Sequence, residues 1–257
     1  MFKTLIYFDS KKVMEYKSLI ERKKAINLKS IKVSNEKSGK VQIPILSGDV
    51  FGKSEMDGEI LENYLLDCEE FEDLIESTEY YFDFLEPNSQ DYDIETIQKS
   101  SIIKFEGTFY VPSQFDMLHL IDKFRPLLIS SINTESNVEE ELLKSFLGKK
   151  STKIPIFIEN ELDFNNRLGF AKINSNSLCC EIDDLEEFEN EDVKIIAKLI
   201  SRKDIKKEPI VVFDVAKDLF SMGRALRRQI GESGIEGVEN ISIDEDFMTL
   251  EILAIYI

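Results

Sequence analysis

IYFDSKKVMEYKSLI, residues 6–20, is the stretch whose reading decides the fold. A short apolar run stops at Asp9-Ser10, and apolar residues then return at Val13, Tyr16, Leu19 and Ile20. That change of spacing predicts a strand, a polar break and a helix carrying those four residues on its buried face. The same layout recurs in FYVPSQFDMLHLIDKF (109–124) and VVFDVAKDLFSMGRAL (211–226). The helical faces there are Phe115, Leu118, Ile121 and Phe124, then Leu219, Met222 and Leu226. Each break holds cap chemistry. Ser113 with Asp116 matches a capping box, while Asp9 or Ser10 and Asp214 offer side-chain oxygens to the unpaired amides of a first helical turn. Asp9 and Asp214 therefore read first as caps and second as strand-tip carboxylates.

Between these units the chain reads mostly as strands. AINLKSIKV (25–33) and VQIPILSGDVFG (41–52) flank the turn-forming SNEKSGK as a hairpin or two adjacent strands, with Pro44 at an edge or bulge. IIKFEGTFYV, KIPIFI, RLGFAKI, SLCCEI, DVKIIAKLI, PIVVF and MTLEILAIYI are also rich in strand formers. EILENYLLDCEEFEDLIEST and NVEEELLKSFLG read as helices, and PNSQDYD (87–93) as a loop. Strand runs interspersed with helices, without regular alternation, predict an α+β protein with mixed, mostly antiparallel sheets and three strand-to-helix units. The expected division is into two subdomains, 1–148 and 149–257. Its boundary is GKKST (148–152), with Gly148 ending the preceding helix.

An apolar fraction of 42% is enough to build a core despite the 32% of charged residues, so the chain belongs to the globular class. It holds no apolar stretch of membrane-spanning length, and Asp9, Lys11 and Lys12 interrupt the first apolar run before it could form a signal core. The expected location is cytoplasmic, with no membrane partner. Cys68, Cys179 and Cys180 form an odd set without CxxC spacing, as expected of reduced packing residues.

The net charge of −18 is unevenly distributed. Residues 1–53 carry 12 Lys and Arg against five Asp and Glu, whereas residues 54–100 carry one against 16. The simplest arrangement packs the basic segment against the acidic one. Acidity overall disfavours nucleic acid as a partner.

His119, the sole histidine, lies within a helical pattern, DMLHLIDKF, and no G-x-S-x-G accompanies it, so it reads as a structural imidazole. One histidine and three poorly spaced cysteines do not supply a zinc ligand set. DYDIE (91–95) and IDEDFMTLE (243–251) place carboxylates at alternate positions but lack the glycine turn and terminal glutamate of a calcium loop at the required spacing, and EIDDLEEFENED (181–192), denser still, reads as a solvated acidic face. No glycine-rich phosphate-binding motif occurs, so neither metal nor cofactor is expected. Arg224, Arg227 and Arg228 follow one another at i, i+3 and i+4 and form a basic patch for an acidic segment or an anion.

The opening strand–Asp–helix, the central FEGTFYVPSQFDMLHLIDKFRPLLI and the final LAIYI together resemble, in layout, a bacterial family known only as a domain of unknown function. That resemblance implies a bacterial cytosolic protein and carries over no catalytic residue. The residues themselves point to a non-catalytic protein-binding or regulatory module with a protein partner. The alternative is a metal-dependent phosphoesterase or nuclease. It would use Asp9, Asp214, Asp183 and Asp184 as carboxylates, with the three arginines holding phosphate.

Overall fold

A computed structural model describes residues 3–21, 56–86, 92–115, 152–160, 163–206, 208–219 and 239–257. Its elements in chain order are β1 (Leu5–Phe8), α1 (Ser10–Ile20), α2 (Met56–Glu76), β2 (Tyr81–Asp83), β3 (Ile102–Tyr110), β4 (Lys153–Glu159) and β5 (Leu168–Asn174). They continue with β6 (Val193–Lys203), β7 (Ile210–Phe213), β8 (Ile241–Ile243) and β9 (Phe247–Tyr256).

The architecture follows from how β3 spends its two edges. Its residues 102–107 pair antiparallel with β6, and residues 108–110 pair antiparallel with β4. Strand β4 continues antiparallel into β5, β5 runs parallel to the start of β9, and β9 pairs antiparallel with β6 along its length. These pairings close a ring, β3–β4–β5–β9–β6, whose only parallel contact is β5 with β9. This is a five-stranded Greek-key barrel with the connectivity of the OB-fold. Two short strands extend it. β1 pairs antiparallel with the last residues of β9, Ala254–Tyr256, and β2 lies parallel to the first residues of β3.

From Ile103 onward β3 alternates buried with more exposed residues, whereas β4 and the second half of β9 are buried on both faces. Ile103, Phe105 and Phe109 of β3, and Ile154, Ile156 and Ile158 of β4, are at most 1% exposed and share the inward parity of their strands. Burying each such side chain contributes about 1.5–3 kcal/mol. Gly107 sits where β3 changes partners, and a Cβ there would lie 2.7 Å from the carbonyl oxygen of Glu159. Only glycine lets the strands approach so closely at the bend. Phe164, in the β4–β5 connection, packs edge-on against Phe105 at 4.7 Å between ring centroids and against the Cα side of Gly169.

The chain divides into two units, residues 10–76 and residues 1–9 with 77–257. The first contains α1 and α2. Cys68, Phe71 and Ile75 fall at i, i+3 and i+7 of α2 and are fully buried. Lys17 bridges Glu70 at 2.8 Å and Asp67 at 3.9 Å, one contact between the basic and acidic segments. The seven-stranded sheet draws strands from both sides of residue 148; the boundary expected there lies outside the described residues, as do the 25–52 hairpin and the 137–148 helix.

The repeated strand-to-helix layout is complete at β1–α1. Strand β3 is followed by helical residues 113–115, and β7 by a π-helical turn, Val215–Leu219; the remainder of both helices lies outside the described residues. Two local expectations are corrected. Leu19 is 71% exposed, because at 100° per residue it lies about 120° around α1 from the buried Val13. SLCCEI forms no strand. Ser175–Ser177 and Ile182–Phe188 are 3-10 turns, and between them only Leu178 bridges Tyr7 and the Cys179 amide donates to the Ile6 carbonyl.

Candidate functional site

Two regions of the barrel unit concentrate chemistry. The first is the outer face of β4 and β5. Lys153, Pro155 and Phe157 alternate outward on β4, and Phe170 and Lys172 do so on β5, with Phe157 paired to Phe170 and Pro155 to Lys172. Described residues of the connection between β6 and β9, Phe213 at the end of β7 and Asp218 in the 215–219 turn, lie against this face. Asp218, in that turn, has a side chain 1% exposed; it accepts hydrogen bonds from Lys172 at 2.6 Å and Lys153 at 3.0 Å. Lys172 also lies 5.5 Å over the Phe213 ring, and Phe213 meets Phe115 edge-on. Burial pushes the Asp218 carboxyl upward, but the two lysine hydrogen bonds and charges outweigh it and hold the group below the ordinary carboxylate value. In OB-type barrels the second and third strands, with the flanking loops, commonly bind oligonucleotides or oligosaccharides. Here the corresponding strands carry the chain's own carboxylate and aromatic ring.

The second region is an open cavity of about 460 Å³ beside the start of β3. Tyr80, Phe82 and Tyr92 supply its aromatic wall, with Glu79, Asp93 and Ser101 among its polar lining. Tyr80 is 59% exposed and Tyr92 is 40% exposed, an unusual amount of ring surface left to solvent at one place. Phe82 and Tyr92 contact edge to face at 5.4 Å, and Tyr92 also meets Phe84. Asp93 begins a tight turn in which its Oδ1 accepts from the Glu95 amide at 3.0 Å and from Asn165 Nδ2 at 3.1 Å. Ser101 is buried, and its Oγ has no hydrogen-bond partner among the described residues.

Arginines fix the loop that forms this cavity. Arg202 donates to the carbonyls of Ile94 and Ile97, capping their outward-facing acceptors. Arg167 binds Glu95 Oε1 at 2.5 Å and Asp204 Oδ1 at 2.6 Å, and donates to the Lys203 carbonyl. The hydrogen bonds and charges of Glu95 and Asp204 work against desolvation and keep the Arg167 guanidinium more firmly protonated than usual. The cavity wall is thereby tied to the ends of β5 and β6.

The carboxylates singled out by sequence are dispersed in local structural roles. Asp9 precedes α1 at the capping position, and its Oδ2 accepts from the Tyr7 hydroxyl at 3.4 Å. Asp214 Oδ1 accepts from the Lys217 amide at 3.0 Å, as a cap of the 215–219 turn does. Asp184 belongs to a capping box with Glu181, and Asp183 is in the first turn of the same 3-10 helix. Among the described residues no three His, Cys, Asp or Glu side chains gather as a metal-binding group. Arg224, Arg227, Arg228 and His119 lie outside the described residues. Burial pushes the Cys179 and Cys180 thiols up to about 11, reinforced at Cys179 by Cys180 and at Cys180 by Asp184. No helix of the described residues is long and apolar enough to cross a membrane.

Sequence reasoning passed over Asp218, Lys153, Lys172 and the whole aromatic cavity. The available signal was the interleaving of rings and carboxylates in EYYFDF (79–84) and DYDIE, which charge counting alone treated as a solvated face. No protein-family model, curated protein or solved structure matches this chain.

Proposed function

We propose that this is a non-catalytic module of the bacterial cytosol that acts by binding a partner protein, with the cavity at residues 79–101 as its contact. The observation that carries this reading is the exposed Tyr80 and Tyr92 pair on a cavity of about 460 Å³, a size and lining suited to an anchoring side chain. Exposed aromatic rings at the centre of a concave patch are the usual hot spots of protein recognition. The loop is held by two arginines, so the contact is preorganised and binding need not order it. The covered β4–β5 face also supports a partner other than nucleic acid, because Asp218 and Phe213 occupy the positions an oligonucleotide would need.

A photo-crosslinking residue in place of Gln98, on the cavity lining, tests the reading in cells. It should trap one protein species that a crosslinker in place of the exposed Glu186 does not, and Tyr80→Ala should remove that species. Equal capture from both positions, or capture insensitive to Tyr80→Ala, overturns the reading.

A further inference from the structure

We infer that the cavity recognises an arginine side chain in a basic segment of the partner, an inference that rests on the partner-binding reading above. Three rings line one cavity, and aromatic faces attract cations through their quadrupoles. Two carboxylates, Glu79 and Asp93, lie in the same lining. The hydrogen bonds that hold Asp93 in its turn both go to Oδ1. Between positions 79 and 101 the sequence carries six Asp and Glu against a single lysine; Glu95 is paired with Arg167 and Asp83 with Lys104, and Glu79 and Asp93 are the carboxylates of the lining. Two cations bind this loop from the barrel: Arg202 donates to the Ile94 and Ile97 carbonyls, and Arg167 pairs with Glu95.

These features favour a guanidinium over an ammonium. A guanidinium is planar, stacks on aromatic faces and presents paired donors that match a carboxylate, while an ammonium is a compact, strongly hydrated charge. The roles divide accordingly: Tyr80 and Tyr92 supply ring faces, Asp93 the counter-charge, and Glu79 the longer-range attraction at the rim.

The probe is the peptide acetyl-Gly-Gly-Arg-Gly-Gly-amide, titrated into the full chain and followed by NMR, with otherwise identical norleucine and glutamate peptides as controls. The arginine peptide should produce saturable shifts centred on Tyr80, Tyr92 and Thr96, while the norleucine peptide binds at least about fivefold more weakly, the size of one exposed cation–π contact. Tyr80→Ala and Asp93→Asn should each weaken binding about threefold, and Tyr92→Phe, which keeps the ring, should preserve it. Tyr80 is largely exposed, so its removal leaves the fold intact even if Tyr92→Ala does not. Equal binding of the norleucine peptide, or shifts centred elsewhere, overturns the arginine assignment while leaving a cavity crosslink untouched. Loss of the crosslink with retained arginine binding overturns the partner reading alone.

Discussion

Replacing Asp218 with asparagine removes one charge from the β4–β5 face and leaves the side-chain shape almost unchanged. Removing one partner from a fully buried ion pair costs about 3–5 kcal/mol, and an exposed pair is worth about 0.2–1 kcal/mol. The Asp218 site lies between these limits. Its carboxylate is 1% exposed, but the Lys153 and Lys172 side chains are 49% and 25% exposed and can recover water once the charge is gone. The expected loss is therefore about 1–2 kcal/mol, or about 3–6 °C in melting temperature for a chain of this size. The effect has a characteristic pH dependence. The folded-state value of Asp218 is lowered, so its stabilisation is complete above the unfolded value of 3.8 and is lost as pH falls through the lowered folded value. Urea unfolding followed by circular dichroism should show the full difference between wild type and Asp218→Asn at neutral pH and a shrinking difference in acid. Lys172→Met in the same background should be less than additive, since both changes break one pair. A difference below about 0.3 kcal/mol at pH 7, or one that persists undiminished in acid, would refute the assignment of the pair as the clamp on this face.

Three further outcomes follow from the geometry. Gly107→Ala drives a Cβ to within 2.7 Å of the Glu159 carbonyl and should cost about 1–3 kcal/mol in urea unfolding; an unchanged midpoint would show that β3 can bend without close strand approach. Cys179 and Cys180, with thiols raised to about 11, should react with iodoacetamide at pH 8 much more slowly than free cysteine, and equal rates by mass spectrometry would contradict their burial. Asp9→Ala should destabilise by about 0.5–2 kcal/mol and Asp9→Ser should recover most of it; failure of serine to rescue would remove the capping role.

The strands of the ring were legible wherever apolar residues alternate or run together. β3 falls within a stretch read as strand, β4, β5, β6 and β9 each overlap one and run one to three residues beyond it, and α2 begins three residues before the stretch read as helix. The ring itself was not legible, because closure depends on nonlocal register: β5 must lie parallel to a strand about 80 positions later, and β3 must pair with β6 as far as Gly107 and with β4 beyond it. Local spacing contains neither fact. Asp214 was recognised as an oxygen-bearing residue at a break, and its capping bond is local enough for sequence to anticipate, whereas Asp184, read only as a cluster carboxylate, caps a 3-10 turn with Glu181. Asp218 was missed because its partners, Lys153 and Lys172, lie 65 and 46 positions away. The aromatic cavity was hidden for a related reason. Its rings come from two short segments that meet only once β2 has docked beside β3.

The position of β9 in the ring has a consequence for how the chain is made. It is the last of the five strands in sequence and the neighbour of both β5 and β6, so β3, β4, β5 and β6 leave the ribosome before the strand that joins them. At about 5–20 residues per second, the interval from the start of β3 to the end of β9 is roughly 10–30 s. For roughly the last 3–10 s of it, from the end of β6 to the end of β9, β5 and β6 each present an unpaired backbone edge that can pair with any strand in reach, so the nascent chain has its greatest need of a chaperone shortly before synthesis of β9.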